Sequence, residues 1–238
     1  MRPRREWLAQ GRELRQPEHL ARVLLLLFWF AVAADLVCLA AGWTFGHTLA
    51  KPLLMLLLAL HVWVRGGPRL LVAALLFGWG GDVLLLFHAD LAFLAGMGCF
   101  AAGHVCYLFL FRRHGAAQAR GAWMAGAYAA VLVALVVLLW PGLPAGLRIP
   151  VAGYSLLLTS MACGSTRLGP ATGVGGALFL LSDTLIATGI ADWPQPPRSD
   201  LWIMSTYCVA QFLLARGVLG ERPVPKTAHR EEPAPSAS

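Results

Sequence analysis

LLFGWGGDVLLLF, residues 75–87, holds Asp82 inside a run that is otherwise apolar or glycine, and ALFLLSDTLIA, residues 177–187, holds Asp183 inside a mostly apolar run, between Ser182 and Thr184. An acid facing lipid is costly, so a carboxyl inside such a run marks a bundle interior and, by default, a functional site. Each acid lies about 12 to 13 residues into its apolar span, so two spans crossing in the same direction bring their carboxyls to about the same depth. The two stretches together predict an all-α, polytopic membrane helix bundle with a pair of acids in one buried site.

Working outward, apolar runs long enough to cross a bilayer lie near 22–42, 69–87, 91–111, 121–140, 147–164, 171–190 and 201–219, with a shorter one at 48–64. The shorter run, TLAKPLLMLLLALHVWV, is a span only if Lys51 snorkels to an interface or points into the bundle. This makes about eight transmembrane helices. Composition agrees, since 58% of residues are hydrophobic and 13% are charged, which excludes an ordinary soluble domain. The organisation expected is a basic N-terminal segment over 1–20, a transmembrane domain over 21–219 and a disordered polar tail over 220–238. MRPRREW followed by LLLLFWF has the look of a secretory leader, with Ala31-Val32-Ala33 as a cleavage site, but the basic region is too long and the apolar run continues past that point.

The net charge of +7 sits in the short connections between apolar runs, so it reports topology and not a nucleic-acid partner. Taking both termini and the even-numbered loops as one side, 16 of the 19 basic residues fall there, and only Lys51, Arg148 and Arg198 lie opposite. Both termini are therefore expected in the cytoplasm, in a multi-pass protein of the cell (plasma) membrane. The five cysteines all lie in apolar spans without CxxC spacing, and His47, His61 and His88 form no HxxxH or HxxE pattern. Neither a disulfide framework nor a metal site is indicated, and no cofactor is called for.

In this topology the spans holding Asp35, Asp82 and Asp183 all run outward, and the three carboxyls lie roughly 18 to 20 Å from the inner edge. The returning eighth span places Tyr207 and Gln211, one turn apart, at similar depth. FAAGHVCY in the fourth span puts His104 and Tyr107 three apart on one face, with His104 somewhat deeper than the acids: either it supports them from below or the helix boundaries lie a turn away. Asp35 has no motif around it and is as readily structural as functional. Gly78, Gly80 and Gly81 suit close helix approach or backbone access to a ligand.

The strings KPLLMLLL (Lys51, Pro52), GGDVLLL (Asp82), FAAGHVCY (Phe100, His104, Tyr107), the pair Tyr154 and Met161, GGALFLLSDTLIA (Ser182, Asp183) and YCVAQFLLA (Tyr207, Gln211) follow one another in order. Over residues 22 to 218 the chain resembles the YhhN-like lysoplasmalogenase family of polytopic membrane proteins. The loop DWPQPPRSD, between the seventh and eighth spans, departs from that pattern in being proline-rich and long.

The resemblance implies hydrolysis of the vinyl ether bond of lysoplasmalogens to a fatty aldehyde and a glycerophospho-head-group. A vinyl ether is cleaved by protonating its β-carbon, giving an oxocarbenium ion that water captures, so the slow step needs a placed proton donor. A carboxyl shielded from water keeps its proton more readily, and of two neighbouring carboxyls one stays ionised, the division of labour used by glycosidases. Asp82 and Asp183 are the expected catalytic pair, with the acid of the two left open. His104, Tyr107, Tyr207, Gln211, Ser182 and Asp35 are expected to support them. Lys51 and Tyr154 are expected to bind substrate, Lys51 through the phosphate of a lysophospholipid entering from the bilayer, with Arg148 a weaker partner. The competing class is a proton-coupled membrane carrier, in which paired intramembrane acids would form a relay.

Overall fold

A computed structural model describes the chain over 3–87, 89–114 and 121–220, with side chains described from residue 18 onward and not at residues 114, 121 and 122. The tail expected to be disordered, 221–238, lies outside the described residues, as does His88. Eight α-helices follow one another: α1 Pro3–Ala41, α2 Thr44–Val64, α3 Arg69–Leu84, α4 Asp90–His114, α5 Gly121–Leu139, α6 Ala145–Ser165, α7 Pro170–Ile190 and α8 Ser199–Gly220, with a 3-10 turn Thr166–Leu168 before α7. No strand occurs among the described residues.

Five of these are long and apolar enough to cross a membrane: the Glu18–Ala41 part of α1, α2, the Asp90–Arg113 part of α4, α7 and α8. The α2 helix, the weakest candidate in the sequence, is among them. Large apolar side chains such as Leu26, Phe30, Val37, Phe109, Val133 and Trp202 stand exposed on the outside, where a bilayer and not water would cover them. The protein is an integral, multi-pass membrane protein.

The helix ends follow from local chemistry. At the end of α1, Gly42 adopts φ +71°, its N–H bonds the Leu39 carbonyl, and the Trp43 N–H bonds that of Cys38. This pair of reversed bonds satisfies carbonyls that the helix leaves open and turns the chain back within two residues. The same device ends α2 at Gly66. At the end of α7 the left-handed position is filled by Asp192, one of the few side chains that tolerate it. The long loop after it is anchored by Arg198, whose guanidinium donates to the Ala40 carbonyl at the end of α1.

Consecutive helices pack as antiparallel pairs, with α1 on α2, α3 on α4 and α7 on α8, while α4 and α6 close the ring and α8 reaches back to touch α1, α2, α3 and α4. One continuous core runs through the middle, built from Phe28, Leu58, Leu75, Tyr107, Phe179 and Leu214 among others. The α7 backbone is pressed against its neighbours. A methyl at Gly176 would collide with Ser165 Oγ and lie 2.9 Å from the Ala162 Cα of α6, and one at Gly175 would lie 3.1 Å from the Ala210 carbonyl of α8. By contrast α5 packs on α6 and only marginally on α7.

Two boundaries differ from the apolar pattern: α1 begins at Pro3, well before the run 22–42, and α3 ends early. The run 69–87 continues to Phe87, but α3 ends at Leu84 and the next residues form turn bonds, Leu86 N to Val83 O and Phe87 N to Leu84 O. The glycines at 80 and 81 weaken the helix just before this point. Asp82 therefore sits in the last turn of α3.

Candidate active site

Asp82 is fully buried, and its Oδ2 accepts a 2.8 Å hydrogen bond from the Tyr207 hydroxyl. The Tyr207 oxygen in turn accepts from Gln211 Nε2 at 3.4 Å, and Gln211 Oε1 accepts from the Tyr107 hydroxyl at 2.7 Å. Space for this chain is left by Gly78, where a methyl would lie 3.1 Å from both the Tyr207 hydroxyl and Gln211 Nε2.

Asp183 heads a second chain. Its Oδ2 accepts from the Tyr154 hydroxyl, and that hydroxyl lies 3.0 Å from His104 Nε2. While Tyr154 spends its one proton on Asp183, its oxygen is an acceptor toward His104, and the imidazole is then the Nε2–H tautomer. His104 Nδ1 is then a buried lone pair without a protein partner. The imidazole on α4 thus reaches Asp183 of α7 through the one intervening hydroxyl of Tyr154 on α6.

The two chains meet at an aromatic partition. The Phe179 ring lies edge-on to both His104 and Tyr207, with centroids 4.8 and 5.4 Å away, and Phe100 packs edge-on against Phe179 and Tyr207. The Phe100 ring in turn rests on the backbone of Gly81, where a methyl would lie 2.7 Å from its Cδ2. Asp82 and Asp183 remain close enough across this partition for the charge of one to act on the other.

A cleft of about 640 Å³, counting its open mouth, runs between α4, α5, α6 and α7. Its walls are apolar, with Phe93, Met97, Phe100, Leu135 and Leu180 among them, and its polar groups include Asp183 and Tyr154. Asp183 is half-buried and faces this space, whereas Asp82 lies behind Phe100 and does not line it. The single dry pocket expected for both acids is thus one lined cleft with a second carboxyl beyond its wall.

The other expected residues divide. His104 and Tyr107 share a helix face but serve different chains, one reaching Asp183 and the other Asp82. Ser182 is directed away from the acids and donates to the Ile203 carbonyl of α8 at 3.1 Å, a tie between helices. Tyr154 bonds Asp183 directly. Lys51 is half-buried and does not line the cleft; its charge acts on Asp82. Arg148 donates to the Leu143 carbonyl at 3.1 Å and lies over Trp140 at the connection between α5 and α6. Asp35 is buried and pairs with His47 Nδ1 at 2.8 Å, while its Oδ2 has no partner.

The sequence reading missed the Asp35–His47 pair and the partition formed by Phe100 and Phe179. A signal for the first was present: Asp35 and His47 stand at similar distances on either side of the Gly42 turn, where an antiparallel hairpin places them opposite one another. Among the described residues no group of three His, Cys, Asp or Glu side chains converges as a metal site would require.

Comparison with known proteins places this geometry in a family. The model of the YhhN family matches residues 46–218. The lysoplasmalogenase TMEM86B of Homo sapiens is 33% identical over 192 residues, covering 75% of this chain and 77% of that protein. That of Rattus norvegicus is 31% identical over 217 residues, covering 90% and 84%. A lysoplasmalogenase of Mycobacterium bovis is 34% identical over 171 residues, covering 67% and 64%. No solved structure matches the chain. The chain belongs to the YhhN family.

Proposed function

We propose that this member of the YhhN family is a lysoplasmalogenase, an ether hydrolase that cleaves the vinyl ether bond of a lysoplasmalogen-type lysolipid drawn from the bilayer. The observation that carries this reading is Asp183: a carboxyl held by Tyr154 in the wall of an otherwise apolar cleft between membrane helices. Such a cleft suits an alkenyl chain, and a carboxyl on its wall meets the one part of that chain that needs a proton. Relatives on both sides of a wide evolutionary distance bear the name lysoplasmalogenase.

In this mechanism Asp183 is the acid. Its proton passes to the β-carbon of the vinyl ether as the C=C electron pair forms the new C–H bond, leaving an oxocarbenium ion on the adjacent carbon and oxygen. Water then adds to that carbon and gives its proton to Asp183, which has become a carboxylate. In the resulting hemiacetal Asp183 protonates the glyceryl oxygen as the C–O bond breaks and recovers a proton from the hemiacetal hydroxyl. The products are a fatty aldehyde and the glycerophospho-head-group, and the carboxyl is returned as it began.

Asp82 serves as the fixed anion. Gln211 Nε2 can only donate, so the Tyr207 hydroxyl is turned toward Asp82 and holds that oxygen as an acceptor. Its negative charge favours the oxocarbenium ion through the low-dielectric partition, where electrostatic stabilisation is strong. Tyr154 can turn its hydroxyl toward His104 once Asp183 bears the proton, because the imidazole has tautomers of both kinds. That freedom is what separates the acid from the anion. Lys51 balances Asp82, and Arg148, on the first turns of α6 before the cleft-lining Val151, is the partner for the substrate phosphate.

The deciding experiment uses protein purified in detergent, given a lysoplasmalogen, with release of long-chain aldehyde measured. Aldehyde formed without sealed vesicles is the expected result. Its absence, with substrate transport recovered in proteoliposomes, would establish the carrier instead.

A further inference from the structure

A second cavity, unconnected with any role given above, lies between α4, α5, α6 and α7; it adjoins the Asp183 cleft along these helices and extends away from it to the ends that carry Arg112 and Arg167. It is a groove of about 2040 Å³, counting its open side. Leu108, Met124, Leu132, Leu156 and Val174 supply apolar walls, and Arg112 and Arg167 line it together. Arg112 comes from the last turn of α4 and Arg167 from the 3-10 turn before α7, two elements that end on the same, arginine-rich face of the bundle. Both guanidinium groups are exposed, and neither is paired with an acid among the described residues. Thr159 also belongs to the lining, but its hydroxyl is closed off from the groove and has no hydrogen-bond partner.

We propose that this groove is a binding site for one anionic phospholipid of the arginine-rich leaflet, with the phosphate on Arg112 and Arg167 and an acyl chain along α5. The guanidinium fork matches phosphate oxygens, and basic pockets between membrane helices on the side facing the cytoplasm are where anionic head groups collect. An unpaired pair of cations above an apolar trough is complementary to a lipid and to little else in a bilayer.

This is not the reaction site under another name. On α7 the groove lining reaches Ala177, near the cleft-lining Leu180, but Arg167 precedes the helix that carries Asp183, on the order of 20 Å back along its axis. Only a few covalent bonds separate the phosphate of a lysolipid from its vinyl ether, so a phosphate on Arg167 cannot place that bond at Asp183. The proposal stands or falls independently of the hydrolytic reading.

Native mass spectrometry of the detergent-purified chain, titrated with phosphatidylglycerol, phosphatidylcholine or inorganic phosphate, tests it. One phosphatidylglycerol should be retained in preference to phosphatidylcholine. R112Q/R167Q should weaken that retention about tenfold, while R65Q/R69Q, which removes the same charge from exposed residues outside the groove, should leave it unchanged. Ala177→Phe, which fills the groove without altering charge, should weaken it for both lipids. Equal loss in the two arginine double variants, or no loss in either, overturns the proposal. Displacement of the lipid by millimolar inorganic phosphate would assign the arginines to a free anion and overturn it as well.

Discussion

The Tyr107 hydroxyl donates to Gln211 Oε1 at 2.7 Å, joining α4 to α8. This contact settles which end of the Gln211 amide faces Tyr207, and so decides that the Tyr207 hydroxyl points at Asp82. A side chain that touches neither carboxyl thereby sets the hydrogen-bond polarity around one of them.

Tyr107→Phe should lower kcat about tenfold and leave KM near its starting value, because it frees the amide to turn without altering the cleft. Steady-state aldehyde release measures both constants. A change confined to KM would show that Tyr107 acts on substrate binding instead.

Asp183→Asn should reduce turnover by about 10²- to 10⁴-fold, the usual weight of a general acid. Asp82→Asn should cost about 10²- to 10³-fold, as for loss of one stabilising electrostatic group. Both proteins should elute from size exclusion as the parent does. Wild-type-like turnover in either variant removes that residue from the mechanism.

The pair formed by Asp35 and His47 yields a stability test. His47→Leu strands a buried carboxylate and should destabilise by about 3 to 5 kcal/mol. Combining it with Asp35→Asn should recover most of that loss, since the stranded charge is gone. Thermal unfolding of the four proteins in one detergent gives the coupling directly, and additive effects would mean the pair contributes nothing specific.

Gly176→Ala should destabilise by about 1 to 3 kcal/mol and depress activity, because the added methyl has nowhere to go between α6 and α7. Gly126→Ala is the control. Nothing lies within 4 Å of the added methyl there, and alanine favours the helix by up to about 1 kcal/mol. Unfolding temperatures distinguish the two.

Much of this arrangement was legible in the chain before any coordinates. The cost of an acid in a membrane span singles out Asp82 and Asp183, and the apolar runs locate α2 to α8 to within a few residues, because both depend on local composition; the polar first half of α1, back to Pro3, carries no such signal. What escaped depends on how helices meet. Spacing puts His104 and Tyr107 on one face, but only packing sends them to different acids. Hydropathy carries α3 through Leu85, Leu86 and Phe87, where the backbone has already left the helix. Phe100 and Phe179 look like any other core aromatics until the rings on either side of them are placed.

The unequal footing of α7 and α5 has a practical side. Asp183 rides on a helix wedged backbone-to-backbone between its neighbours, so altering α7 moves the reactive group as a block. The opposite wall, where Leu135 and Leu139 face the same cleft from loosely held α5, can be resized while the chemistry stays in place. Redesign for shorter or bulkier lipid tails should begin there.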